Sequence, residues 1–136
     1  MTKGKLLRGT DLKEVESKAR QIYYEIKRKS KRKPYIRSAY FKKEKIFFDF
    51  FWVHLNQKNY VEKFKRLKHF TVAIDLIKNS KNKPVSKINP NKRNEILHRF
   101  YGKTREKEIF CVQIKENKKS GHKYLLSAYK PKKTPQ

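Results

Sequence analysis

The order of apolar periods along this 136-residue chain predicts an α+β domain. It reads as an N-terminal helix, a β-hairpin, a second long helix and a three-stranded antiparallel meander, with the helices packed on one face of a small sheet. Three observations carry that expectation. Apolar residues recur at helical spacing over residues 11–29 and again over residues 58–78. Short β-prone runs flank a polar turn at residues 42–44. After residue 94 three more such runs follow one another across short connections, as an antiparallel meander requires.

The first helix opens at Thr10 and Asp11, both able to cap it, and carries Leu12, Val15, Ala19, Ile22 and Ile26 along one stripe. Every position from 27 to 33 except Ser30 is Lys or Arg, and Pro34 ends the run. Such a run suits a solvated helix end and equally a phosphate-facing surface. Residues 35–41 and 45–49 form the hairpin, although no glycine marks its turn. Residues 50–56 are ambiguous, with the start of a helix as one reading. Tyr60, Phe64, Leu67, Thr71, Ile74 and Ile77 then define the second helix. Residues 79–94 are loop by composition, rich in Asn, Lys and Pro. The strands of the meander cover residues 95–101, 109–115 and 123–130. The whole chain, 1–136, reads as one domain, with residues 1–9 and 131–136 as flexible ends.

Charge is the feature that speaks to partners. Lys and Arg number 38 against 12 Asp and Glu, a formal net charge of +26. A small fold that tolerates this self-repulsion is built to meet a polyanion. Aromatic residues make up 13% of the chain, which favours nucleic acid, since bases stack on flat side chains set beside cations. The longest apolar stretch, residues 46–55, is broken by Asp49 and His54 and is too short to span a bilayer, so no membrane partner is expected. Nor does an apolar run long enough for a signal peptide follow the first residues. Cys111 is the single cysteine, which fits a cytoplasmic protein without a disulfide.

No cofactor or metal is expected. The four histidines are scattered, the carboxylates do not cluster at ligand spacing, and the four glycines never form a phosphate loop. Metal-independent chemistry on RNA remains open, because RNA supplies its own nucleophile in the 2′-hydroxyl. The protein then needs a proton acceptor, a proton donor and cations for the developing charge.

Several residues are candidates for those roles. Arg37, between Ile36 and Ser38 on the first strand, is either one more surface cation or a planar phosphate clamp. Lys45 is a hairpin-end lysine or an RNA contact. His54 lies in an apolar context, where a histidine is either a core residue or a base with a lowered pKa. His98 is the second histidine in an ordered segment, whereas His69 and His122 read as solvent-facing. Arg66 is open to packing or RNA contact. Gln113 breaks an apolar run at a strand centre, where an amide is costly to bury without a task. Ser127 and Tyr129 stand two apart on the last strand and so share a face.

Segments 37–41 (Arg-Ser-Ala-Tyr-Phe), 45–55, 66–68 and 73–77, together with 97–102 (Leu-His-Arg-Phe-Tyr-Gly), 110–116 and 123–129, carry a resemblance. Over residues 10–130 the chain resembles a phage- and mobile-element-associated branch of the barnase/EndoU/colicin/RelE-type ribonucleases, the BECR fold. The resemblance implies a helical N-terminal part on a small antiparallel sheet and metal-independent RNA cleavage on the open sheet face, in a toxin or mobile-element effector. Members of that superfamily vary in their catalytic residues, so the site is taken from the residues themselves: Arg37, His54, Gln113, Ser127 and Tyr129 are the expected catalytic group, with Tyr40, Lys45, Arg66, His98 and Lys115 on the RNA surface. RNA is the implied substrate, the ribosome or tRNA a candidate target, and an acidic neutralising protein a candidate partner. The rival reading is a module that binds RNA or DNA without cutting it.

Overall fold

In the computed structural model, which describes residues 5–132, the chain is α+β, with four helices and a six-stranded mixed open sheet. Helix α1 spans Leu12–Lys29. Asp11 caps it by accepting from the Glu14 backbone N–H at 2.9 Å, and the Glu14 carboxylate returns a bond to the Thr10 N–H at 3.2 Å. Val15, Ala19 and Ile26 bury its apolar stripe. Strands β1 (Tyr35–Arg37) and β2 (Lys45–Phe47) form the hairpin. Its turn does without glycine by placing Lys42 and Lys43 in the left-handed region, at φ 54° and 70°. Ser38 holds that turn, its backbone donating to Glu44 O at 2.9 Å and its hydroxyl accepting from the Phe41 N–H at 3.1 Å.

The ambiguous segment is helix α2 (Phe51–Asn56), which sends Phe51 and Leu55 into the core. The expected second long helix is two helices, α3 (Tyr60–Lys68) and α4 (Phe70–Asn79), parted at His69. Asn59 caps α3 through the Glu62 N–H at 2.9 Å. The break was invisible to periodicity because Leu67 on one side and Phe70, Ala73, Ile74 and Ile77 on the other keep a continuous apolar phase. Six of the ten residues of α4 are buried.

The expected loop at 79–94 contains strand β3 (Val85–Asn89), which pairs with β4 (Lys92–Lys103). Backbone pairing holds it, with side-chain hydrogen bonds from Ser86 to His98 and from Asn89 to Glu95. Its first four side chains are all exposed, so no alternation betrays the strand in the sequence. Strands β5 (Ile109–Asn117) and β6 (Lys123–Tyr129) complete a meander of four strands, not three. The sheet runs β1-β2-β6-β5-β4-β3, and β2 meets β6 in parallel over only two residue pairs. Beyond that junction α2 and α3 lie against β6.

Phe100, Phe110, Val112, Ile114 and Leu125 form the apolar floor of the sheet. Helix α4 packs on it closely: a Cβ added at Gly102 would stand 2.6 Å from Leu76 Cδ1 and 2.8 Å from Phe110 Cζ. Phe48, Phe51, Trp52 and Phe70 make an aromatic cluster between the helices. Residues 5–9 run beside these helices, with the Leu7 N–H donating to Lys68 O at 2.9 Å. For residues 1–4 and 133–136, the expectation of flexible ends falls outside the described residues. No helix among the described residues is long and apolar enough to cross a membrane.

Candidate active site

Strand alternation sends Phe100, Val112 and Ile114 to the helix-covered floor, so their neighbours point the other way. Cross-strand register lines those neighbours up in rows. Tyr101, Cys111 and Tyr129 form one row, Arg99, Gln113 and Ser127 the next, and Leu97, Lys115 and Tyr124 the third. The rows combine cations, hydroxyls and aromatic rings. At Ser127 the pairing steps: Gln113 faces Ser127 but Ile114 faces Leu125, leaving Leu126 as an extra residue on β6. A bulge of this kind re-aims the side chains beside it.

The flank of this face is supplied by α2 and α3. Arg66 donates from Nη1 to Ser127 Oγ at 2.6 Å and from Nε to Glu62 Oε2 at 2.9 Å. Its guanidinium carbon lies 4.9 Å from the centre of the Tyr129 ring. One planar cation is thus fixed by a carboxylate, a buried hydroxyl and an aromatic face at once. The Glu62 carboxyl is held below its ordinary range, chiefly by that Arg66 hydrogen bond.

Tyr129 behaves oppositely. Burial, with the Cys111 thiol beside it, pushes its phenol up to about 12, while Arg99 pulls weakly the other way. It stays protonated at neutral pH and is a hydrogen-bond or proton donor. Burial likewise raises the Cys111 thiol, which is 1% exposed and inert as a nucleophile. His54, half-buried on α2, is lowered below its ordinary 6.5, first by burial and then by Lys58, Arg66 and Lys115. It is therefore neutral at pH 7 and able to accept a proton. Lys115 crosses the same region, its Nζ 3.9 Å above the Phe50 ring and 3.8 Å from Glu95 Oε2. Phe50 meets Tyr124 edge-on at 4.8 Å.

The sequence candidates divide cleanly. Gln113, Ser127, Tyr129, Arg66, Lys115 and His54 gather at this face. Arg37 and Lys45 share its side of the sheet through the register Arg37↔Lys45 and Tyr35↔Phe47↔Tyr124, but stand out on the β1–β2 hairpin. There Arg37 donates to Lys43 O at 2.9 Å and so braces the strained turn. Lys45 lies 4.6 Å over the Tyr35 ring. Tyr40 packs edge-on against Phe41 and Phe100, on the floor side. His98 is also on that side, buried, with Nδ1 2.7 Å from Ser86 Oγ and Nε2 2.8 Å from Glu116 Oε1. Its ring nitrogens are spent on structure. His69, read as solvent-facing, is buried at the α3–α4 break with only 8% exposed, because its ring turns inward to the Lys65 carbonyl and the Phe110 ring, 6.3 Å away between centres.

Arg99, Tyr101, Phe50, Tyr124 and Glu62 were missed. For Arg99 and Tyr101 the signal was available: once Phe100 is assigned to the core, both of its neighbours must lie on the face that holds Gln113. No group of three or more His, Cys, Asp or Glu residues that could hold a metal ion occurs among the described residues. No family model, curated protein or solved structure matches the chain.

Proposed function

We propose that the protein is a metal-independent endoribonuclease, a toxin or mobile-element effector, that cuts RNA on the face carrying Arg66, Ser127 and Tyr129. The observation that carries the reading is Arg66, fixed by Glu62 and Ser127 against the Tyr129 ring and close enough to His54 to act on its charge. His54 is neutral and basic, and Tyr129 is a retained acid. Opposed pKa values in one site define an acid and a base.

In this mechanism His54 takes the proton of the ribose 2′-hydroxyl, and the oxygen attacks the adjacent phosphorus. Arg66 and Arg99 meet the charge that builds on the phosphoryl oxygens. Gln113 and Ser127 orient those oxygens by hydrogen bonds. The 5′-oxygen leaves and takes the Tyr129 proton, a downhill transfer because an alkoxide is a stronger base than a phenolate. The products are a 2′,3′-cyclic phosphate and a 5′-hydroxyl. Aromatic rings at Phe50, Tyr101 and Tyr124 offer bases a stacking surface.

Purified protein incubated with RNA in EDTA should yield fragments with those ends, and a single 2′-deoxy substitution at the cut position should block cleavage there. Equal cutting of DNA, or loss of cutting on chelation, would reject the mechanism. Binding without cutting would favour the non-catalytic module.

The pH profile is a second check. As a base, His54 acts only when deprotonated, so the single-turnover rate should climb with pH and level off below the histidine value of 6.5. In His54→Gln the acidic limb should vanish and the plateau rate fall about 10²-fold. An unchanged profile would return His54 to the core.

A further inference from the structure

Beside the Arg66–Tyr129 contact lies a cavity of about 930 Å³, inside the size range of about 300–1,000 Å³ typical of ligand sites. Arg66 and Tyr129 form its wall on the active-site side. The remaining wall carries Lys65, Lys68, Lys130 and Lys132, with Leu6 and Pro131 as apolar surface. Its one carboxylate, Glu62, is already engaged by Arg66. Cations over an apolar wall suit a phosphate joined to a flat ring.

His69 gives the cavity a reading edge. Its ring lines the space, is 8% exposed, and has Nδ1 2.8 Å from Lys65 O. A carbonyl oxygen can only accept, so Nδ1 carries the hydrogen. Burial keeps the ring neutral. Nε2 is then a bare lone pair, and among the described residues no hydrogen bond reaches it.

We propose that this cavity is a second nucleotide subsite. It would hold the nucleotide next to the one cut, with the lysines on its phosphate and His69 Nε2 accepting from an exocyclic amino group of its base. Single-stranded RNA is the substrate class this geometry takes, since a base stacked and paired inside a duplex cannot enter the cavity. The inference rests on the ribonuclease reading only for the position of the cut.

The test uses uncleavable 2′-O-methyl oligonucleotides and fluorescence anisotropy, so it needs no activity. An adenine tetranucleotide should bind about tenfold more tightly than the dinucleotide, the scale of one or two added phosphate contacts. Lys68→Gln with Lys130→Gln should erase that difference and leave dinucleotide binding unchanged. Replacing the flanking adenines by purine, which lacks the amino group, should weaken wild-type binding about fivefold, the scale of one hydrogen bond. Equal affinity for both lengths, or equal weakening of both by the double variant, would overturn the subsite. Equal affinity for adenine and purine would overturn the base contact. Length-dependent binding without cleavage of ordinary RNA would reject the ribonuclease reading and keep the subsite; cleavage without length dependence would do the reverse.

Discussion

Arg66→Ala is expected to lower RNA cleavage by about 10²–10³-fold, the loss that follows removal of one donor aimed at developing charge. The side chain links α3 to β6 through Ser127, and among the described residues no other group makes that link while lying against Tyr129. Folding should weaken as well, though by less than the total stability of a typical domain. The Glu62 partner is 44% exposed, so the ion pair itself contributes no more than about 1 kcal/mol. Leaving the buried Ser127 hydroxyl without its donor costs about 1–3 kcal/mol more. Arg66→Lys keeps the charge but cannot serve Glu62 and Ser127 from one rigid plane, so it should restore only part of the rate. Single-turnover cleavage measured beside urea unfolding separates the two effects. A full rate in Arg66→Ala would remove this residue from the chemistry.

Phe70→Ala should produce the largest loss of stability, about 3–5 kcal/mol. Phe70 has no exposed surface and its ring centre lies 5.2 Å from Phe51, 5.9 Å from Trp52 and 6.2 Å from Phe48. Removing the ring leaves a cavity bounded by Phe51 and Trp52 on α2 and by Phe48 just before it, side chains already fixed against one another and unable to close it. Val53→Ala, on α2 but 61% exposed, should stay within about 0.5 kcal/mol of wild type. Urea midpoints for the two variants make the comparison, and similar values would mean that the cluster does not bear on stability.

Those two residues also mark what could be read in advance. Phe70 stands three residues after Leu67 and four before Ile74, so spacing allows its burial, yet the stripe read from the sequence takes Thr71 at this turn and the structure buries Phe70. Arg66 sits one position before Leu67, where spacing leaves its direction open; the deciding contact is with Ser127, 61 positions away. Gln113, Ser127 and Tyr129 were legible because a polar group on a central strand has to face somewhere. Arg37, Tyr40 and His98 were not, for a common reason. Each has a suitable side chain on a suitable strand or turn, yet another group claims it: the Lys43 carbonyl for Arg37, the Phe41 and distant Phe100 rings for Tyr40, and the distant Ser86 and Glu116 for His98. Strand β3 escaped because both its sides meet solvent, which removes the alternation that a half-buried strand writes into the chain.

The position of β6 sets the order in which the molecule can be finished. It is the last strand among the described residues, yet it sits third in the sheet, between β2 and β5. Until residues 123–129 leave the ribosome, the N-terminal hairpin and the C-terminal meander share no strand, and Arg66 has no hydroxyl to meet. A chain cut short before Lys123 holds two unjoined fragments with open edges, whereas one cut after Tyr129 keeps every pairing. A break in the chain between β5 and β6 therefore removes the junction of the sheet, the Ser127 contact and the rows beside it together.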